Sequence, residues 1–262
     1  VVQSIGGGGG QVSAIKGSLL LGADGFGNMS SGDITLDGSF TATTQGDQSP
    51  GVVLQAIGGG GGLASAVSGN SVELGTNATG DTSAGEVVAI SDGWKVQTSG
   101  AYSPGFTLQS IGGGGGVAYT STGSVSLGGA VDGETTASPV ILESEESTTI
   151  VTQGISSPAV IAQSIGGGGG YVGGDGSGEG DSVVLGGSGQ QLGSSGSVDV
   201  TLGRESLLST ANIQSQGVII QSIGGDGGFT SQNGKAMSLG MSTGVGNAGN
   251  VNLINKGTIQ TT

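Results

Sequence analysis

Short apolar stretches rich in β-branched residues recur along the whole chain, each bounded by Gly, Ser, Pro or Asp. This pattern predicts strands. One set precedes a run of glycines: Val52 to Ile57, Phe106 to Ile111, Val160 to Ile165 and Val218 to Ile223. A second ends in Leu-Gly: Ser18 to Leu21, Ser71 to Leu74, Ser124 to Leu127, Ser182 to Leu185 and Ala236 to Leu239. A third runs over Asp33 to Leu36, Glu86 to Ile90, Val140 to Glu143, Ser197 to Leu202 and Asn250 to Ile254. A fourth covers Phe40 to Thr44, Lys95 to Thr98, Thr149 to Thr152, Ala211 to Ser215 and Thr258 to Thr261. No stretch has a helical period, and the frequent glycines cost a helix about 1 kcal/mol each against Ala.

The strands follow a fixed order because the chain repeats. QSIGGGGG or a close variant begins at Gln3, Gln55, Gln109, Gln163 and Gln221, at spacings of 52, 54, 54 and 58 residues. Such a period points to a repeat architecture. The expected fold is an all-β parallel β-solenoid, one continuous array with repeats at about 1–50, 51–104, 105–158, 159–216 and 217–262. Four strands in a repeat of this length suggest two coils per repeat. Equivalent glutamines would then lie about 10 Å apart, since coils stack about 4.8 Å apart; one large coil would bring them to about 5 Å. Asp37-Gly38 and Asp92-Gly93, between the third and fourth strands, offer an antiparallel hairpin as the rival arrangement. Ser49-Pro50, Ser103-Pro104 and Ser157-Pro158 suit corners, because proline lacks a donor.

Three columns stand out. Gln3, Gln55, Gln109, Gln163 and Gln221 can form an amide ladder along the axis. Ile5, Ile57, Ile111, Ile165 and Ile223 follow two residues later. Both faces of the first strand are apolar, so either the strand is covered on both sides or the ladder lies inside. The third column is the glycine run. It holds its length while its neighbours vary, which fits close backbone packing or φ values open only to Gly; a smooth strip for a ligand is the alternative. Its middle position is Gly8, Gly60, Gly114 and Gly168, then Asp226. A charge there predicts that this position faces water. The residue after the run (Gln11, Leu63, Val117, Tyr171, Phe229) makes either an apolar stack or an exposed patch. Trp94, the sole Trp, reads as a lone surface aromatic.

Composition narrows the chemistry. The 262 residues include 62 Gly and 4 Pro, and the net charge is −14. That charge disfavours nucleic acid and anionic membranes. There is no Cys and no His, which removes thiolate sites and the commonest general base and metal ligand. The bases Lys16, Lys95, Arg204, Lys235 and Lys256 fall in different repeats. Acid clusters at Glu143, Glu145, Glu146 and at Asp175, Glu179, Asp181 read as solvated turns. No catalysis and no cofactor are expected. Gly173 to Gly178 (GGDGSG) resembles a calcium nonapeptide but carries Gly178 where that pattern has Asp, and it does not recur every nine residues; calcium is the one cofactor left open.

The units GVVLQAIGGGGG (Gly51 to Gly62), AVIAQSIGGGGG (Ala159 to Gly170) and GVIIQSIGGDGG (Gly217 to Gly228), with NKGTIQT (Asn255 to Thr261), resemble passenger regions of large bacterial autotransporters secreted by type V systems. The resemblance covers essentially the whole chain. It implies a right-handed parallel β-solenoid exported across the outer membrane to the cell surface. The expected role is an elongated stalk or adhesin, continued by the same chain at both ends, with no membrane insertion in this segment. Its expected partners are surface glycans, host or abiotic surfaces, or neighbouring copies. A carbohydrate-active or carbohydrate-binding solenoid is the alternative.

Overall fold

The computed structural model describes residues 1–262 except 14–15, 23, 76, 146, 175–180, 188–191, 232–235 and 241–244; the side chains at 66–67, 69–70 and 121 are also left undescribed. Among the described residues there is no helix, and every strand pairing is parallel. Each strand pairs with its equivalent in the neighbouring repeat, so the molecule is a parallel β-solenoid of about five repeats. The antiparallel hairpin does not form. Gly38 and Gly93 adopt φ of 105° and 111° and turn the chain from one sheet into the next.

Five sheets run along the axis. The first holds the glutamines: Val2–Ile5, Val52–Ile57, Phe106–Ile111, Val160–Ile165 and Val218–Ile223. The second follows the glycine run: Gly9–Ser13, Gly61–Leu74, Gly115–Leu127, Gly169–Gly173 and Gly227–Thr230, joined by Leu19–Leu21, Ser182–Leu185 and Ala236–Leu239. A short third sheet comprises Met29–Ser30, Thr82–Ser83, Glu134–Thr136, Leu192–Ser194 and Val245–Asn247. The fourth contains Ile34–Gly38, Val87–Ser91, Val140–Ser144, Val198–Leu202 and Val251–Asn255. The fifth contains Thr41–Thr44, Lys95–Thr98, Thr149–Thr152, Leu207–Thr210 and Thr258–Thr261.

Each repeat is one large coil, not two. Gln3 pairs directly with Gln55, Gln55 with Gln109, Gln109 with Gln163 and Gln163 with Gln221. The expectation of two coils fails because two strands per repeat escape the composition pattern. The strand after the glycines begins with two glycines, and the third-sheet strand is only two or three residues long. One assigned strand is also misplaced. Ala211 to Ser215 alternates like a strand but is a turn, with φ of 80° at Asn212 and 59° at Gln214 and with Ile213 exposed. The true strand is Leu207–Thr210, which lies between the 203–206 corner and this turn.

The main core lies between the first, fourth and fifth sheets. Leu54, Ala56, Leu108, Ala162, Val87, Ala89, Val140, Leu142, Val96, Ile150 and Leu208 fill it. Trp94 belongs to this core and is not a surface residue: it is fully buried, its Nε1 donates to the Gly38 carbonyl (2.7 Å), and it stacks on Phe106 at 4.9 Å. A second core lies within the second sheet, where Ala64, Ala118 and Val172 meet Val72, Leu74, Val125 and Leu127.

Candidate functional site

The glutamine column is an unbroken ladder, buried at its three central members. Nε2 of each Gln donates to Oε1 of the next: Gln3 to Gln55 (2.7 Å), Gln55 to Gln109 (2.8 Å), Gln109 to Gln163 (2.7 Å) and Gln163 to Gln221 (2.7 Å). Each Nε2 also donates to the carbonyl seven residues on, at Gly10, Gly62, Gly116, Gly170 and Gly228, over 3.3–3.4 Å. The ladder therefore clips the first sheet to the second. Gln55, Gln109 and Gln163 are fully buried, and such amides are stable only when paired. Ile57, Ile111 and Ile165 form an apolar ladder beside them, flanked by half-buried Ile5 and Ile223. The first sheet is thus covered on both faces, which explains its apolar alternation: even-numbered Leu54 and Ala56 face the main core, and odd-numbered Gln55 and Ile57 face the glycines.

The residue after each glycine run forms a stack rather than a patch. Leu63, Val117 and Tyr171 are buried with Tyr119 and Ile161, and Phe229 stacks on Tyr171 at 5.6 Å. Gln11 lies exposed at the first coil. Burial raises the Tyr119 and Tyr171 phenols well above their usual value. Tyr171 shares a hydrogen bond with Ser231 (2.9 Å), whereas the Tyr119 hydroxyl has no partner among the described residues.

The glycine run packs backbone against backbone. At Gly59 a Cβ would sit 2.7 Å from the Gly113 carbonyl, and at Gly61 and Gly115 it would strike the carbonyl oxygen of the next coil. At Gly62, Gly116 and Gly170 it would strike the preceding coil. The run is also roofed by the third sheet, since a Cβ at Gly58 would lie 2.7 Å from the Ser83 carbonyl group.

The middle position does not face water. Gly60, Gly114 and Gly168 are buried, and Gly8 is exposed only at the first coil. Gly8, Gly60 and Gly114 have φ of 85°, 91° and 101°, a region unfavourable to side chains. Gly168 and Asp226 have left that region, which lets Asp226 be accommodated. Its half-buried carboxylate turns inward along the axis and accepts the Gly168 N–H. Burial raises its pKa, while the hydrogen bonds from Gly168 and Gly187 oppose the rise.

A different place gathers charge. Between the fourth and fifth sheets, residues 203–206 form a four-residue corner in the fourth repeat, whereas 256–257 forms a two-residue corner in the fifth. The step leaves a groove of about 640 Å³ lined by Ser144, Glu145, Thr201, Gly203, Arg204, Glu205 and Lys256. Its longer wall is fixed: Ser206 N–H donates to the Gly203 carbonyl (3.1 Å), and the Ser206 and Ser144 hydroxyls share a hydrogen bond (2.6 Å). Linear distance hides this meeting, since Arg204 and Lys256 lie 52 positions apart in sequence. Corner lengths counted between aligned strands are the sequence signal that exposes it.

Outside the groove the predicted acid clusters do not assemble among the described residues. Glu143 is exposed, and no group of three or more acids suited to a metal occurs among the described residues. Glu146, Asp175 and Glu179, Lys235, and the Asp175–Gly178 part of the calcium-like segment lie outside the described residues. Asp181 instead accepts a hydrogen bond from the Gly123 N–H (2.9 Å). No protein-family model, no curated protein and no solved structure matches this chain.

Proposed function

We propose that this chain is a non-catalytic structural or adhesive segment of an exported bacterial cell-surface autotransporter, serving as an elongated stalk or adhesin. The observation that carries the reading is the continuous stacking: glutamine and isoleucine columns pass through all five coils in register, and the glycine run beside them is broken only at Asp226. A repeat that contacts only its neighbours extends without a new core, which is what a spacer needs. Export is supported by the passenger-like motifs and by the absence of Cys, whose chain can cross a membrane unfolded without forming disulfides. The lack of His and the separation of most acids support a role without chemistry.

Antibodies raised against the purified chain provide the test. They should label intact source cells, and external protease should remove the label. Antigen confined to the cytoplasmic fraction would overturn the proposal. A screen against acidic and neutral polysaccharides should show no cleavage, and turnover abolished by altering Glu145 or Glu205 would replace the stalk with the enzyme alternative.

A further inference from the structure

We infer that the groove between the fourth and fifth sheets binds a carboxylated saccharide, a uronic-acid oligomer, through Arg204 and Lys256. The inference deepens the adhesive reading and rests on it.

The argument starts from charge. The molecule carries −14 overall, with only five basic residues, yet two of them line one groove. They come from successive coils; Arg204 sits on the corner held by the Ser206–Gly203 turn and the Ser206–Ser144 hydrogen bond, and Lys256 on the shorter corner of the next coil. Neither side chain forms an ion pair or hydrogen bond among the described residues, and both are exposed. Gly203 and Gly257 pave the corners: a Cβ at Gly203 would lie 2.5 Å from the Ser144 carbonyl oxygen, and one at Gly257 would lie 2.8 Å from the Gly203 carbonyl oxygen. The backbone is thereby kept low, and a ligand can lie between the charged walls.

The remaining lining selects the ligand. Glu145 and Glu205 stand in the same groove as the two bases. A densely sulfated polymer would meet those carboxylates with repulsion. A uronate chain carries one carboxylate per sugar among many hydroxyls. Its carboxylate suits the planar two-donor face of the Arg204 guanidinium, reinforced by Lys256. Its hydroxyls can donate to Glu145 and Glu205 and exchange a hydrogen bond with Thr201. The groove has few apolar walls, so a purely apolar ligand gains little there.

Titration calorimetry of the whole chain with trigalacturonate tests this. Saturable one-site binding is expected, weakened at least tenfold by Arg204→Gln with Lys256→Gln. Lys16→Gln with Lys95→Gln, which removes the same charge elsewhere, should leave affinity within twofold. Neutral cello-oligosaccharide should bind at least tenfold more weakly. Circular dichroism of both double variants verifies that the solenoid persists. Absence of binding, equal loss in both double variants, or equal affinity for the neutral oligomer would each overturn the inference. Surface labelling of cells is read separately, so a silent groove on an exported stalk is distinguishable from failure of the adhesive reading itself.

Discussion

Replacing Gln109 with Leu tests whether the buried ladder holds the coils together. Gln109 is fully buried; it accepts from Gln55, donates to Gln163 and donates to the Gly116 carbonyl. Leucine removes all three bonds. Gln55 Nε2 keeps the Gly62 carbonyl, but Gln163 Oε1 loses its only ladder donor in a site closed to water. An orphaned buried acceptor costs about 1–3 kcal/mol, and each lost bond about 1 kcal/mol more, partly offset by the added apolar contact. A net loss of about 2–4 kcal/mol follows. The same change at half-buried Gln3 removes one rung at a more open coil and should cost about 1 kcal/mol or less. Urea unfolding followed by the fluorescence of Trp94, the single buried indole, measures both, alongside circular dichroism because repeat arrays need not unfold in two states. Gln109→Glu adds a sign. Ionised, it sets a carboxylate against Gln163 Oε1; protonated, it donates there again. Burial raises its folded-state pKa, so its penalty is small below about pH 4, where the unfolded side chain is also protonated, and grows as pH rises through the folded value. Equal stability of Gln109→Leu and the parent chain, or equal losses at Gln3 and Gln109, would refute the reasoning.

Three further outcomes are expected. Gly115→Ala and Gly17→Ala place a Cβ at similar φ (129° and 122°), but only Gly115 meets another backbone, so thermal unfolding should show Gly115→Ala losing at least about 1 kcal/mol more; Gly114→Asp, at a buried position of φ 101°, should also destabilise. Asp226→Asn retains an oxygen for the Gly168 N–H and removes a carboxyl whose pKa burial raises. The parent chain should therefore gain stability as pH falls toward about 4 and lose it as pH rises through the folded value, while the variant should show no such slope in urea titrations at each pH. Tyr119→Phe deletes a buried hydroxyl with no partner among the described residues and should hold or raise the melting temperature, whereas Tyr171→Phe, which breaks the bond to Ser231, should lower it.

The strands were legible wherever side chains carried the signal. Val52–Ile57, Phe106–Ile111, Val160–Ile165 and Val218–Ile223 match their apolar patterns to the residue. The pattern is silent where backbone does the packing. Gly61, Gly62 and their equivalents enter a strand with no side chain to announce it, so composition alone halves the length of the coil. Asp226 differs from its sequence expectation for a related reason. Charge alone points to solvent, but the carboxylate accepts an N–H one coil away, a partner that no linear pattern supplies. The groove was likewise invisible until Arg204 and Lys256 were set on adjacent corners by the register of the strands around them.

The ladder also gives the rod a direction. Every glutamine amide points its nitrogen toward the higher-numbered coil. One end of such a spine therefore offers an amide oxygen and the other an amide N–H. Two arrays can continue each other head to tail, with the hydrogen-bonded file passing through the junction. Head-to-head contact would set oxygen against oxygen, and tail-to-tail contact nitrogen against nitrogen. The polarity that orders one coil on the next is thus a rule for how separate rods can be spliced.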